Sequence, residues 1–170
     1  LMTGNLLVQN AMMALPNGIV EGDLRIVNGI IHSIALNGGL VAKKDEFVID
    51  GTGLHLLPGA IDHHVHFRDP GNPEKEYLES GSRAAAAGGI TSFLDMPNTV
   101  PNATNRVELE AKIALASKKA VSHHGFFIGA TSNNVADLQS IDGMDGVCGI
   151  KIFMGSSTGD LLVHEQEHLE

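Results

Sequence analysis

Apolar and polar positions follow two different rhythms along this chain. From about residue 5 to 56 the apolar residues come in short bursts at 6–8, 19–20, 24–27, 30–34 and 47–49, separated by Asn-Gly, Glu-Gly-Asp and Gly-Gly turns. Bursts of that length between turn residues predict a small β module, the portion of a β-sandwich. Asn28-Gly29, set between the apolar stretches 24–27 and 30–34, predicts a hairpin, because this pair supplies the positive φ angles of a type I′ turn. Beyond residue 56 the apolar runs alternate with helical periodicity. The expected order is strand 56–65, helix 74–87, strand 90–96, helix 104–118, strand 121–128, helix 133–140 and strand 146–153. Ala84 to Ala87 followed by Gly88-Gly89 reads as a helix closed by glycine, and Asn102 or Thr104 is placed to cap the next one.

A repeating βα pattern specifies an α/β fold with a parallel sheet. A doubly wound sheet would carry a glycine-rich phosphate loop after its first strand; here that strand ends in histidines instead. The expectation is therefore a partial TIM-like (βα)8 barrel, about its first four strands, in which chemistry gathers at the C-terminal strand ends. The division expected is 1–55 for the β-sandwich portion and 56–170 for the half barrel, with the chain forming the N-terminal part of a longer protein.

Composition narrows the function classes. Of 170 residues, 43% are apolar, enough for a real core, and 11 Lys and Arg face 20 Asp and Glu for a formal charge of -9. Such a balance argues against nucleic acid or an anionic membrane surface as partner. The single cysteine, Cys148, cannot close an intrachain disulfide, and the first basic residue is Arg25, so no signal-peptide n-region precedes it. A cytoplasmic location is expected, and a homo-oligomer is left open. No apolar run approaches the roughly 20 residues that cross a bilayer.

The chemistry concentrates in the run from Pro58 to Gly71, Pro-Gly-Ala-Ile-Asp-His-His-Val-His-Phe-Arg-Asp-Pro-Gly. Side chains two apart on a strand share a face, so His64 and His66 offer two imidazoles to one point, as a metal requires. His63 has the opposite parity and is not expected to be a ligand. A chance H-x-H is common, but its place at the end of an apolar strand favours metal binding over packing. Arg68, read by itself, could pair with Asp69 or Glu74 at the surface. Lys151, between Ile150 and Ile152, is expected to face the barrel interior, where a lone ammonium is costly; the competing reading is a lysine that reaches out to a surface carboxylate.

The run 58–71, together with Asp95-Met96-Pro97-Asn98-Thr99, resembles the two signature motifs of dihydroorotases in the amidohydrolase superfamily, and the likeness covers essentially the whole chain. The resemblance implies zinc, two ions per active site, held by His64, His66 and Lys151 as N6-carboxylysine. It also implies that Arg68 and Asn98 hold the substrate carboxylate. The further histidine ligands and the aspartate acting as general acid and base are expected outside this stretch of chain, so no catalytic proton-transfer residue is assigned within it. The activity implied is the reversible conversion of dihydroorotate to N-carbamoyl-aspartate in pyrimidine synthesis, with that small molecule as partner. A hydantoinase or dihydropyrimidinase would share the metal centre, and an allantoinase the Met-Pro-Asn run, though the latter usually lacks arginine at position 68. An inactive homologue serving as an assembly partner is the reading from another class; the joint presence of His64, His66, Arg68, Asn98 and Lys151 argues against it.

Two further features invite a metal reading and are set aside. His164-Glu165-Gln166-Glu167-His168 fits H-E-x-x-H, but polar residues surround it and a solvated helix start is the simpler expectation. His123 and His124 open the third strand of the barrel portion, the wrong end for catalysis, and Cys148 is expected in the core.

Overall fold

The computed structural model describes residues 4–156 and 161–169. The chain forms two compact units, Leu1–Pro58 and Gly59–Glu170. In the first, β1 (Asn5–Leu15), β2 (Gly18–Val27), β3 (Ile30–Leu36), β4 (Glu46–Asp50) and β5 (His55–Leu56) make one mixed sheet in the order β3-β2-β1-β4, with β5 also paired to β1. The β2–β3 turn has Asn28 at φ 51° and Gly29 at φ 78°, the left-handed pair that a type I′ hairpin needs, and Val27 faces Ile30 across it. Leu24, Val8, Ala11 and Met13 form the buried patch of this sheet. Asp23, 1% exposed, accepts hydrogen bonds from Asn10 N and Leu40 N, and so ties the bulge in β1 to the segment that leads into β4.

The expected strand 56–65 is split. Leu56 belongs to β5 and pairs with Met13, and the barrel portion starts only at β6 (Ala60–Val65), after Pro58-Gly59. Proline lacks the N–H a ladder requires, so the apolar run cannot continue as one strand.

The second unit continues with α1 (Leu78–Ala87), β7 (Ile90–Asp95), α2 (Arg106–Lys119), β8 (His123–Gly129), α3 (Val135–Ser140), β9 (Val147–Lys151) and α4 (Gln166–Leu169). Its four strands are parallel in the order β6-β7-β8-β9. Strictly consecutive order is that of a barrel; a doubly wound sheet reverses at its switch point. The fold is thus α/β, a partial TIM-like barrel. Phe93, Phe126 and Ile128 from the sheet meet Leu78, Leu109 and Ala116 from the helices in one core.

Helix starts differ from the sequence reading. α1 begins at Leu78 rather than residue 74, where the buried carboxylate of Asp69 accepts Leu78 N at 3.4 Å. Neither Asn102 nor Thr104 caps α2; Asn105 does, its side chain accepting Glu108 N at 3.0 Å. The C-terminal end of α1 is as expected, with Gly88 closing the helix and Gly89 at φ 86°. Cys148 is exposed rather than buried, because it lies in a bulge of β9 described below.

Gly81 lets α1 pack closely on the loop after β6: a Cβ there would stand 2.7 Å from the Phe67 ring. Alanine in a helix ordinarily gains about 1 kcal/mol over glycine. Overpacking costs about 1–3 kcal/mol, so Gly81→Ala is expected to destabilise the protein by about 1 kcal/mol, seen as a lower urea midpoint.

Candidate functional site

His64 lies near the end of β6 and His66 one residue past it. Val65 between them packs against the helix-side core, so both histidines turn away from the helices. Their ring centroids are 5.2 Å apart with the planes inclined at 48°. Strict alternation does not run through the whole strand: Asp62 pairs with Phe93 and Val65 with Asp95, so one extra residue is accommodated at His63-His64. Parity therefore does not set His63 apart. What distinguishes it is that the ring contact joins His64 to His66.

His66 is tied to the second motif. Its Nδ1 lies 2.7 Å from Asn98 Oδ1. The amide oxygen can only accept, so Nδ1 carries the proton and Nε2 keeps its lone pair. Burial is the largest influence on this imidazole and lowers its pKa, aided by the charges of Arg68 and His64 and opposed by the Asn98 hydrogen bond. A neutral ring with Nε2 open and Nδ1 held by an acceptor is the form in which histidine binds a metal. In that respect the residues present fit a metal ion. Among the described residues, no cluster of three or more His, Cys, Asp or Glu side chains gathers around one point, so His64 and His66 make up only part of a donor set.

Arg68 stands at φ 57°, in the left-handed region, and directs Nη1 to Asn98 O at 3.3 Å. The surface ion pair considered for it does not form with Asp69, whose carboxylate pairs with Lys119 Nζ at 3.0 Å. The structure thus brings His64, His66, Arg68 and Asn98 together at the ends of β6 and β7.

Lys151 ends β9, two strands away from β7. Phe126 pairs with Val147, but Phe127 pairs with Gly149, so Cys148 is an extra residue and the alternation shifts by one. Val147 packs on the helix-side core, and after the bulge Ile150 aligns with Ile128 of that same core. Lys151 aligns with Gly129 and so faces the opposite side. Among the described residues its ammonium meets a ring and not a carboxylate, with Nζ 5.0 Å from the centre of Phe153.

The other histidines behave differently. His164 and His168 approach Glu165 and Glu167, their own neighbours, on an exposed segment. His124 Nδ1 lies against Ser122 O and its ring stacks on Phe93. A cleft of about 720 Å³ between the loops after β7 and β8, lined by Asn105, Thr131, Asn134 and Asp137 among others, contains none of the candidate residues. Donor chemistry and not concavity marks the site.

The sequence reading missed Asp95 and Lys112, a buried pair directly behind the site with Nζ 2.9 Å from Oδ2. Burial lowers the pKa of Lys112, and the Asp95 carboxylate opposes that shift. The available signal was the phase of Lys112 with Leu109 and Ala116, the buried stripe of α2.

Comparison with known proteins adds three findings. A model of the amidohydrolase family matches residues 55–153. A dihydroorotase of Methanosarcina acetivorans is 37% identical over 94% of this chain and 33% of its own length, and an allantoinase of Deinococcus radiodurans is 38% identical over 92% and 34%. The L-hydantoinase (dihydropyrimidinase) of Arthrobacter aurescens superposes with a TM-score of 0.86 at 25% identity, over 98% of this chain and 37% of that one. The chain spans about a third of the length of the relatives it matches. No helix among the described residues is long and apolar enough to cross a membrane.

Proposed function

Because this chain belongs to the amidohydrolase family, whose members generally depend on a metal, we propose that its full-length protein is a zinc-dependent dihydroorotase. It would interconvert dihydroorotate and N-carbamoyl-aspartate in pyrimidine synthesis. The observation that carries this reading is the placement of Arg68 and Asn98 beside the two histidines.

His64 and His66 would hold metal, joined by Lys151 once its unprotonated Nζ has added to the carbon of carbon dioxide and released a proton, leaving an anionic carbamate. Bound zinc supplies Lewis acidity, which acidifies water and polarises an amide carbonyl. Asn98 has two tasks: Oδ1 fixes the His66 ring, and its NH₂ group remains for the substrate. One guanidinium N–H of Arg68 is spent on Asn98 O, and the others can grip a carboxylate through two parallel hydrogen bonds. Holding the carboxylate at two points orients the ring and its scissile amide. Dihydroorotate carries such a carboxylate; dihydrouracil and allantoin do not.

The deciding experiment is turnover of those three substrates by the full-length protein. Preference for dihydroorotate is expected, whereas faster hydrolysis of allantoin or dihydrouracil would replace this assignment. Within the assignment, Arg68→Lys exchanges a fork for a point charge at a cost of about 1–3 kcal/mol, or roughly 5- to 150-fold in kcat/KM. Zinc content should stay the same. Unaltered Michaelis parameters would remove Arg68 from the substrate site.

A further inference from the structure

Both loops of the candidate site are anchored at one buried point. Asp95 closes β7 with its side chain fully buried, and its Oδ1 accepts from Phe67 N at 3.1 Å and Met96 N at 3.0 Å. Its Oδ2 lies 2.9 Å from Nζ of Lys112, whose side chain is 1% exposed on α2. The same ammonium donates to Met96 O at 2.6 Å. The carboxylate thus holds the peptide that joins His66 to Phe67, and the ammonium holds the carbonyl of Met96, two residues before Asn98.

Stability alone is a poor reason for this pair. Replacing a buried ion pair by apolar groups of the same volume is often neutral or stabilising. Its location is informative, since the loops it grips carry His66, Arg68 and Asn98. Arg68 in addition holds a left-handed backbone conformation at φ 57°, which is uncommon for a long side chain and costs about 1–3 kcal/mol.

We propose that Asp95 and Lys112 are positioning residues, which set the geometry of the His66–Asn98–Arg68 cluster from the helix side of the sheet. The consequence for zinc and substrate rests on the function proposed above; the positioning itself does not.

Two double variants of the full-length protein separate positioning from packing. Asp95→Asn with Lys112→Gln discards both charges but keeps an acceptor for Phe67 N and a donor for Met96 O. Asp95→Leu with Lys112→Met has a similar volume and no acceptor. Each is read by its melting temperature, by the 15N shift of His66 Nδ1 in metal-free, histidine-labelled protein, and by zinc affinity. The two variants are expected to melt within a few degrees of each other. The asparagine version should keep the hydrogen-bonded His66 signature and near-native affinity. The leucine version should lose that signature and bind zinc about 10- to 100-fold more weakly, the range for groups that orient metal ligands.

Identical His66 signatures in the two variants, or changes that merely follow melting temperature, would overturn the proposal. If a double variant does not fold, Lys112→Met alone, which removes the donor to Met96 O, is read in the same way; a wild-type His66 spectrum there also overturns it. A wild-type protein that takes up no zinc would refute the metal reading, while the His66 signature would still decide the positioning.

Discussion

His64→Ala in the full-length protein is expected to release zinc and to lower kcat/KM by at least about 100-fold. A zinc site of four protein ligands is worth roughly 10–16 kcal/mol, so a single ligand accounts for about 2.5–4 kcal/mol, or roughly two to three orders of magnitude in affinity. His66→Ala should do the same, with the added loss of the partner for Asn98 Oδ1. His63→Ala is the control, since His63 makes no ring contact with the other two. Elemental analysis after dialysis, beside turnover, reads all three. A His64→Ala protein with wild-type zinc content and activity would show that these imidazoles do not bind metal.

Lys151→Ala is expected to have an effect of similar size through a different route. The half-buried ammonium has an aromatic ring for company among the described residues, a weak compensation for desolvation. Conversion to a carbamate would turn that cation into an anionic ligand between metal ions. Lys151→Ala should therefore lose metal and activity, and added short carboxylic acids should restore part of both by occupying the vacated position. Lys151→Arg should not be rescued in its own right, because a guanidinium stays protonated and cannot add carbon dioxide. The direct observation is the density at Nζ in a zinc-loaded crystal of the full-length protein. A bare amine there, with both metals held by another bridging carboxylate, would refute the modification.

Much of the site could be read without coordinates because its signals are local. The strand ending at Val65 places His64 and His66 on one side by the geometry of extended chain, and Asn98 and Arg68 sit at fixed distances from strand ends. The Asn28-Gly29 turn was equally legible, since left-handed dihedrals are a property of those two residues. Unbroken alternation between Ile150 and Ile152 directs Lys151 away from the helices. The structure reaches the same side through a bulge at Cys148, without which Lys151 would share a face with Val147.

What the sequence determined by itself is therefore the class of fold, the order of its elements and the chemical character of the strand ends, all of which depend on periodicity and on dihedral preferences within a few residues. Tertiary structure alone decided how the bulge in β9 exposes Cys148 and that Lys112 reaches back to Asp95. Each of these outcomes turns on a partner distant in sequence. Whether a polar group is buried, paired or exposed is set by desolvation and by the neighbour that compensates it, and that neighbour is supplied only when the chain has folded.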